Sequence, residues 1–276
     1  MPPSIPAVIY AGLAAASTGA LFAASVVPAL LMALGLCAVV WLMVRRQPNL
    51  TAGRFDKQEF FASVRGVLLP ALTPVIILGG ILGGFFTPTE AAAVAVIYVL
   101  LIALVLRSLS LKGLLTAIRE TVVTTGGIML IVAAAALLGH ILAMERLPQL
   151  LTEVFVSITE SPVVFMLLVS LLMLVLGTVI DATAILVLVV PILLPIGLQY
   201  EIDPITLGVV LILSLMLGLL TPPVGTALFV TAAVSETRVG EVFKGALPFA
   251  MPAVVVLLLT IFFPDTILFL PEVLGL

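Results

Sequence analysis

Leu220-Thr221-Pro222-Pro223-Val224-Gly225-Thr226 interrupts the middle of an apolar stretch, 205–234. Each proline removes an amide donor and obstructs the helical bond to the preceding turn. The carbonyls released in this way, with the hydroxyls of Thr221 and Thr226, are oxygen ligands of the kind that Na⁺ accepts where a helix is unwound. A proline kink steadied by threonine is the simpler reading. Two adjacent prolines flanked by Thr and Gly favour the unwound site. A second place is Gly177-Thr178-Val179-Ile180-Asp181, where Asp181 is the sole carboxylate deep within the apolar run 163–198. At bilayer depth a charged side chain costs at least ~2.5–3.5 kcal/mol, so by default it marks function. An Asp that caps a helix by accepting backbone amides is the structural alternative, and capping is compatible with ion binding. Phe86-Thr87-Pro88-Thr89-Glu90 is a third polar break. It is explained as a helix start, with Glu90 at the positive end of the following helix.

Other chemistry is hard to assemble. His140 is the only histidine, and no serine lies in a Gly-x-Ser-x-Gly setting with a base to serve it. Metal-ligand spacings and phosphate-cradling glycine loops are absent from the sequence. Gly79-Gly80 and Gly83-Gly84 suit close helix packing. Cys37 is the single cysteine, so no internal disulfide can form. The chain reads as a non-enzyme without an organic cofactor.

The elements that hold these sites must lie in lipid. Hydrophobic residues make up 63% of the 276 positions and charged residues 9%, against about a quarter charged in a soluble domain. A net charge of −3 gives no reason to expect nucleic acid. A span of the bilayer core needs about 20 mostly apolar residues. Candidates are 19–44, 66–86, 91–106, 121–142 and 246–263, with a hairpin at about 163–198 and a broken helix at about 205–234. Amphipathic pieces at 56–64, 107–120, 147–157 and 236–244 read as helices lying on the membrane surface. The expected fold is an all-α integral membrane domain over 1–276, with a cytoplasmic linker and surface helix at 49–65.

Basic residues orient it. If 163–198 is a re-entrant hairpin that enters and leaves on the outer face, ten of the eleven Lys and Arg residues fall inside and only Arg146 outside. The C-terminus, with Asp265 and Glu272, is then periplasmic. An internal repeat points the same way. Displaced by about 220 positions, Pro2-Pro3 falls on Pro222-Pro223, Ala7 on Ala227 and Pro28 on Pro248. Opposite orientations of the two copies are the mark of an inverted-repeat transporter. Residues 1–48 would close the first repeat and 66–276 form the second, with Ser4 and its neighbours from Met1 onward making a site equivalent to 221–224. The early copy has no preceding hairpin, so the chain is expected to be truncated at its N-terminus.

These residues resemble the large membrane subunit of TRAP (tripartite ATP-independent periplasmic) transporters. The likeness is carried by residues 83–93 (Gly-Gly-Phe-Phe-Thr-Pro-Thr-Glu-Ala-Ala-Ala), Gly177-Thr178 with Asp181, Pro191 and Pro195, and Asp203-Pro204 with Gly208. Gly218 to Gly225 and the opening Pro2-Pro3-Ser4-Ile5-Pro6 with Tyr10 complete it. The resemblance implies an elevator mechanism, in which two hairpins and two unwound helices carry substrate and Na⁺ across a scaffold. It also implies a periplasmic substrate-binding protein that delivers a carboxylate, and a small four-helix membrane subunit as partner. Mapped here, the sodium and substrate sites comprise Gly177, Thr178, Asp181, Thr221, Pro222, Pro223, Gly225, Thr226 and Ser4. The expected function is sodium-coupled uptake of a small organic acid across the bacterial inner membrane. The alternatives are a sodium-coupled anion transporter without a binding protein, and an inactive remnant or membrane assembly module.

Overall fold

The structure is a computed structural model that describes residues 2–45 and 56–276. Met1, Arg46, Arg54 and the 49–55 part of the linker lie outside the described residues. All regular structure described is helical. The elements are α1 (Ile5–Leu13), α2 (Thr18–Val44), α3 (Lys57–Leu82), α4 (Pro88–Val105), α5 (Leu111–Met144) and α6 (Leu147–Ile158). They continue with α7 (Pro162–Gly177), α8 (Ala182–Gln199), α9 (Pro204–Leu219), α10 (Thr226–Ser235), α11 (Val239–Phe262) and α12 (Asp265–Leu274). Six of these are long and apolar enough to cross a bilayer, and the bent pair of α6 and α7 adds a seventh. The chain divides into two compact units, Val40–Gly127 and the remainder, Met1–Val39 with Ile128–Leu276.

In the smaller unit α3 packs along α4. Asp56 starts α3 by accepting the amides of Gln58 at 2.7 Å and Glu59 at 3.4 Å. The helix then runs unbroken to Leu82, through Pro70 and Pro74. The separate surface helix expected at 56–64 is therefore the first turns of a span. The same holds for 111–120, which opens the 34-residue α5, and for 239–244, which opens α11. A change from polar to apolar side chains does not end a helix. Hydrogen bonding propagates cooperatively once a helix is nucleated, and α3 and α11 continue even past internal prolines. Only 147–157 is a separate element as expected, with its axis bent 115° from that of α7.

The smaller unit also corrects the reading of its glycines. Gly80 lies under the Phe86 ring, where a Cβ would stand 2.4 Å from the ring edge. Gly84 turns the chain at φ +68°. These glycines end α3 and admit an aromatic ring; they do not seat a second helix. Thr87 and Glu90 form a reciprocal capping box. The Thr87 amide donates to the Glu90 carboxylate at 2.8 Å, and the Glu90 amide donates to Thr87 Oγ1 at 3.3 Å.

In the larger unit α7 and α8 form the hairpin, joined by the four residues 178–181. Its two ends meet at a base. The Tyr200 hydroxyl donates to the Thr159 carbonyl at 2.8 Å. The Phe165 ring stacks on Tyr200 at 4.6 Å between centroids, and Phe155 of α6 meets Phe165 edge-on at 5.2 Å. Central to the unit is α9, which starts at this base and packs along α7 more extensively than any other helix pair. Leu207, Leu211 and Leu215 of α9, with Met173 and Leu186 of the hairpin, are fully buried.

α1 lies antiparallel to α9. Its Tyr10 hydroxyl donates to the Pro204 carbonyl at 2.6 Å, with the ring against Gly208. Ser4, at its other end, faces Val209 and Leu213. From there α2 departs from the hairpin base, whereas α11 returns to it, ending with Ile261 and Phe262 beside Pro162 and Tyr200. The segments matched by the internal repeat thus run in opposite directions. Each comprises a Pro-Pro pair with a cis bond, a short helix, a turn and a long helix with an internal proline.

Candidate functional site

The hairpin tip and the break after α9 are built against each other, and glycine allows it. A Cβ on Gly218 would lie 2.5 Å from the Leu174 carbonyl oxygen and 2.8 Å from the Gly177 Cα. On Gly177 it would lie 2.9 Å from the Leu215 carbonyl oxygen. Backbone therefore meets backbone where α7 and α9 end. Just beyond, the Gly225 amide donates to the Thr178 carbonyl at 2.7 Å. This bond ties the tip directly to the unwound segment.

Among the described residues two carbonyls here accept no main-chain hydrogen bond, one because of a proline and one because of this bond. Pro223 has no amide to offer Leu219, and the Gly225 amide that would close a helical turn onto Thr221 is engaged by Thr178. Both carbonyl oxygens face the Gly225 α-carbon, where a Cβ would stand 2.9 Å from Thr221 O and 3.2 Å from Leu219 O. Gly225 itself is left-handed, at φ +57°. Two hydroxyls lie on the segments that this bond joins. Thr178 Oγ1 donates to the Val175 carbonyl at 2.7 Å, and Thr221 Oγ1 to the Leu217 carbonyl at 2.8 Å. Having used its proton, each hydroxyl keeps lone pairs to offer a cation. The two carbonyls are neutral oxygens of the kind a small hard cation accepts, and the two hydroxyls lie on the segments beside them.

Not every sequence-expected residue belongs to this cluster. Gly177, Thr178, Thr221 and Gly225 are brought together. Pro222 and Pro223 shape the break and are exposed, and Thr226 opens α10. Asp181 is exposed and caps α8, its Oδ1 accepting the Thr183 amide at 2.8 Å. Ser4 caps α1 by accepting the Ala7 amide at 3.3 Å. It lines a separate cavity of about 70 Å³ with Pro2 and Ser25, against the middle of α9. The sequence pointed to carbonyls freed by the two prolines, but not to which ones, because main-chain oxygens carry no side-chain signature. The second proline, which removes the donor from Leu219, was the available clue.

Fold and site together define a class: a multi-pass helical membrane protein whose hairpin tip is bonded to an interrupted helix. The sequence matches the family described as tripartite ATP-independent periplasmic transporter, DctM component, over residues 1–266. The chain belongs to that family. It is 42% identical over 273 residues to the sialic acid TRAP transporter large permease protein SiaM of Vibrio cholerae, covering 99% of this chain and 64% of that protein. It is 40% identical over 276 residues to the C4-dicarboxylate TRAP transporter large permease protein DctM of Pseudomonas aeruginosa, covering 100% and 65%. To the sialic acid TRAP transporter permease protein SiaT of Haemophilus influenzae it is 37% identical over 275 residues, covering 99% and 45%. The chain thus spans less than two thirds of the length of each of these relatives.

Proposed function

We propose that this chain forms part of the large permease of a transporter that takes up a small organic acid with Na⁺ as coupling ion. One Na⁺ is held where the hairpin tip meets the broken helix. The observation that carries the reading is the pair of carbonyls, Leu219 and Thr221, that face one point, the first left without a donor by Pro223 and the second by the bond of the Gly225 amide to the Thr178 carbonyl. Broken helices at membrane depth place such oxygens where transporters coordinate their coupling ions. Acidic substrates are favoured because two relatives are described as carrying sialic acid and one a C4-dicarboxylate. Their tripartite family supports a periplasmic binding protein and a small membrane subunit as partners.

The basic residues favour an inner-membrane topology with the hairpin base and the C-terminus on the periplasmic face. The opposed directions of α2 and α11 support inverted repeats, and with them an elevator-type exchange. The test uses the full-length permease with its small subunit in proteoliposomes, supplied with binding protein and labelled sialic acid or C4-dicarboxylate. Thr221→Ala is expected to lower sodium-driven uptake at least tenfold and to weaken Na⁺ binding measured calorimetrically. Uptake and Na⁺ affinity equal to wild type would remove the ion from this site.

A further inference from the structure

The end of the larger unit remote from the break carries a second set of features that the transport site does not use. Two adjoining cavities, of about 360 and 430 Å³, share Pro162, Tyr200 and Glu201 at the hairpin base. Such volumes fall in the range of small-molecule sites, about 300–1,000 Å³. Their chemistry is divided. One side is apolar, with Val163 and Met166 from α7, Ile261 and Phe262 from α11, and Leu268 from α12. The other side presents three carboxylates, Glu160, Glu201 and Asp203, and among the described residues no Lys, Arg or His lines either cavity. Asp203 also accepts the Ile205 and Thr206 amides at 2.8 and 3.2 Å.

Within the same lining lies Thr206, 2% exposed, whose Oγ1 is the one buried side-chain polar atom without a hydrogen-bond partner among the described residues. A buried hydroxyl left unsatisfied costs about 1–3 kcal/mol, so an unpartnered one in a cavity wall points to a ligand. A ligand of net negative charge is disfavoured by the carboxylates, which no cationic side chain in the described lining offsets. A bare metal ion fits poorly too, since no group of three such side chains converges among the described residues. A primary ammonium on an apolar chain fits both halves: N–H donors for the carboxylates and carbon for the apolar side. Thr206 Oγ1 is then available to an N–H or to an ester oxygen.

We propose that the hairpin base binds an alkylammonium amphiphile, with the ammonium on the Glu160–Glu201–Asp203 side and the chain against α7, α11 and α12. In the bilayer that chemistry is supplied by phosphatidylethanolamine; free in solution it is an aliphatic amine. Full-length protein is placed in nanodiscs of equal phosphatidylethanolamine, phosphatidylcholine and phosphatidylglycerol. Lipid retained on release from the disc is counted by native mass spectrometry, and octylammonium chloride is titrated against thermal stability in parallel. Wild type is expected to retain phosphatidylethanolamine selectively. Thr206→Val and Glu201→Gln should each reduce that retention about tenfold, the scale of one lost hydrogen bond to a charged group.

Octylammonium stabilisation that both variants weaken, without lipid selectivity, would keep the ammonium chemistry and make its source the soluble amine. Equal retention of all three lipids with no octylammonium effect overturns the proposal, as does selectivity unchanged in both variants. If Thr206→Val does not fold, the exposed Glu201→Gln decides alone. Neither readout involves sodium or uptake, so this result stands apart from the transport reading.

Discussion

At the residue scale the site depends on atoms that substitution can move one at a time. Gly225 combines a left-handed backbone with two carbonyls that a Cβ would crowd. Gly225→Ala faces about 1–2 kcal/mol of left-handed strain and a methyl group among the oxygens. Sodium-dependent uptake should fall by more than tenfold while membrane insertion persists, as judged by uptake assays against expression level. Asp181 separates two roles. As a cap, Asp181→Asn should keep full uptake, and Asp181→Ala should cost about 1 kcal/mol of stability with Na⁺ affinity unchanged. If Asn and Ala both abolish sodium dependence, the charge is part of the ion site.

At the element scale the hairpin is held at its base by aromatic contacts and at its tip by glycine. Tyr200→Phe keeps the ring that stacks on Phe165 and removes only the bond to the Thr159 carbonyl. That should cost about 0.5–1.5 kcal/mol, seen as faster amide exchange at 159–161 with a small drop in thermal stability. Undiminished protection there would mean that the stacked rings alone hold the base. The hairpin and the broken helix were legible in the sequence because proline, glycine and a lone carboxylate interrupt runs too apolar to be loops. The lengths of α3, α5 and α11 were not. Their polar first turns look like surface helices, and nothing local tells a helix that enters lipid from one that lies on it.

At the scale of the whole molecule, the positive-inside count makes a prediction about sidedness. In a full-length protein with Cys37→Ser as background, Leu276→Cys should react with a membrane-impermeant maleimide in intact spheroplasts. Ser110→Cys, between α4 and α5, should react only after permeabilisation. The reverse pattern would invert the topology, place the hairpin base in the cytoplasm and leave the binding-protein partnership without a docking face. The opposed courses of α2 and α11 are a global feature of the same kind, which four identities at a spacing of about 220 positions foreshadowed.

What the sequence determined by itself was everything set by composition and by local backbone chemistry. Lipid is the solvent, since 9% charged residues cannot clothe a soluble surface of this length. Helices break at Pro222-Pro223 and at 178–181, and a helix starts behind the Thr87 cap. Tertiary structure alone decided which of the singled-out residues meet. It joined Thr178 to Gly225 through the main chain, left Asp181 as a cap, set Ser4 in a cavity of its own and stranded the Thr206 hydroxyl at the hairpin base. The physical reason is that residue types announce hydrogen bonds broken within a helix. Which distant group receives the freed donor or acceptor depends on how closely two backbones can approach, and at Gly177 and Gly218 only the packed chain shows that approach.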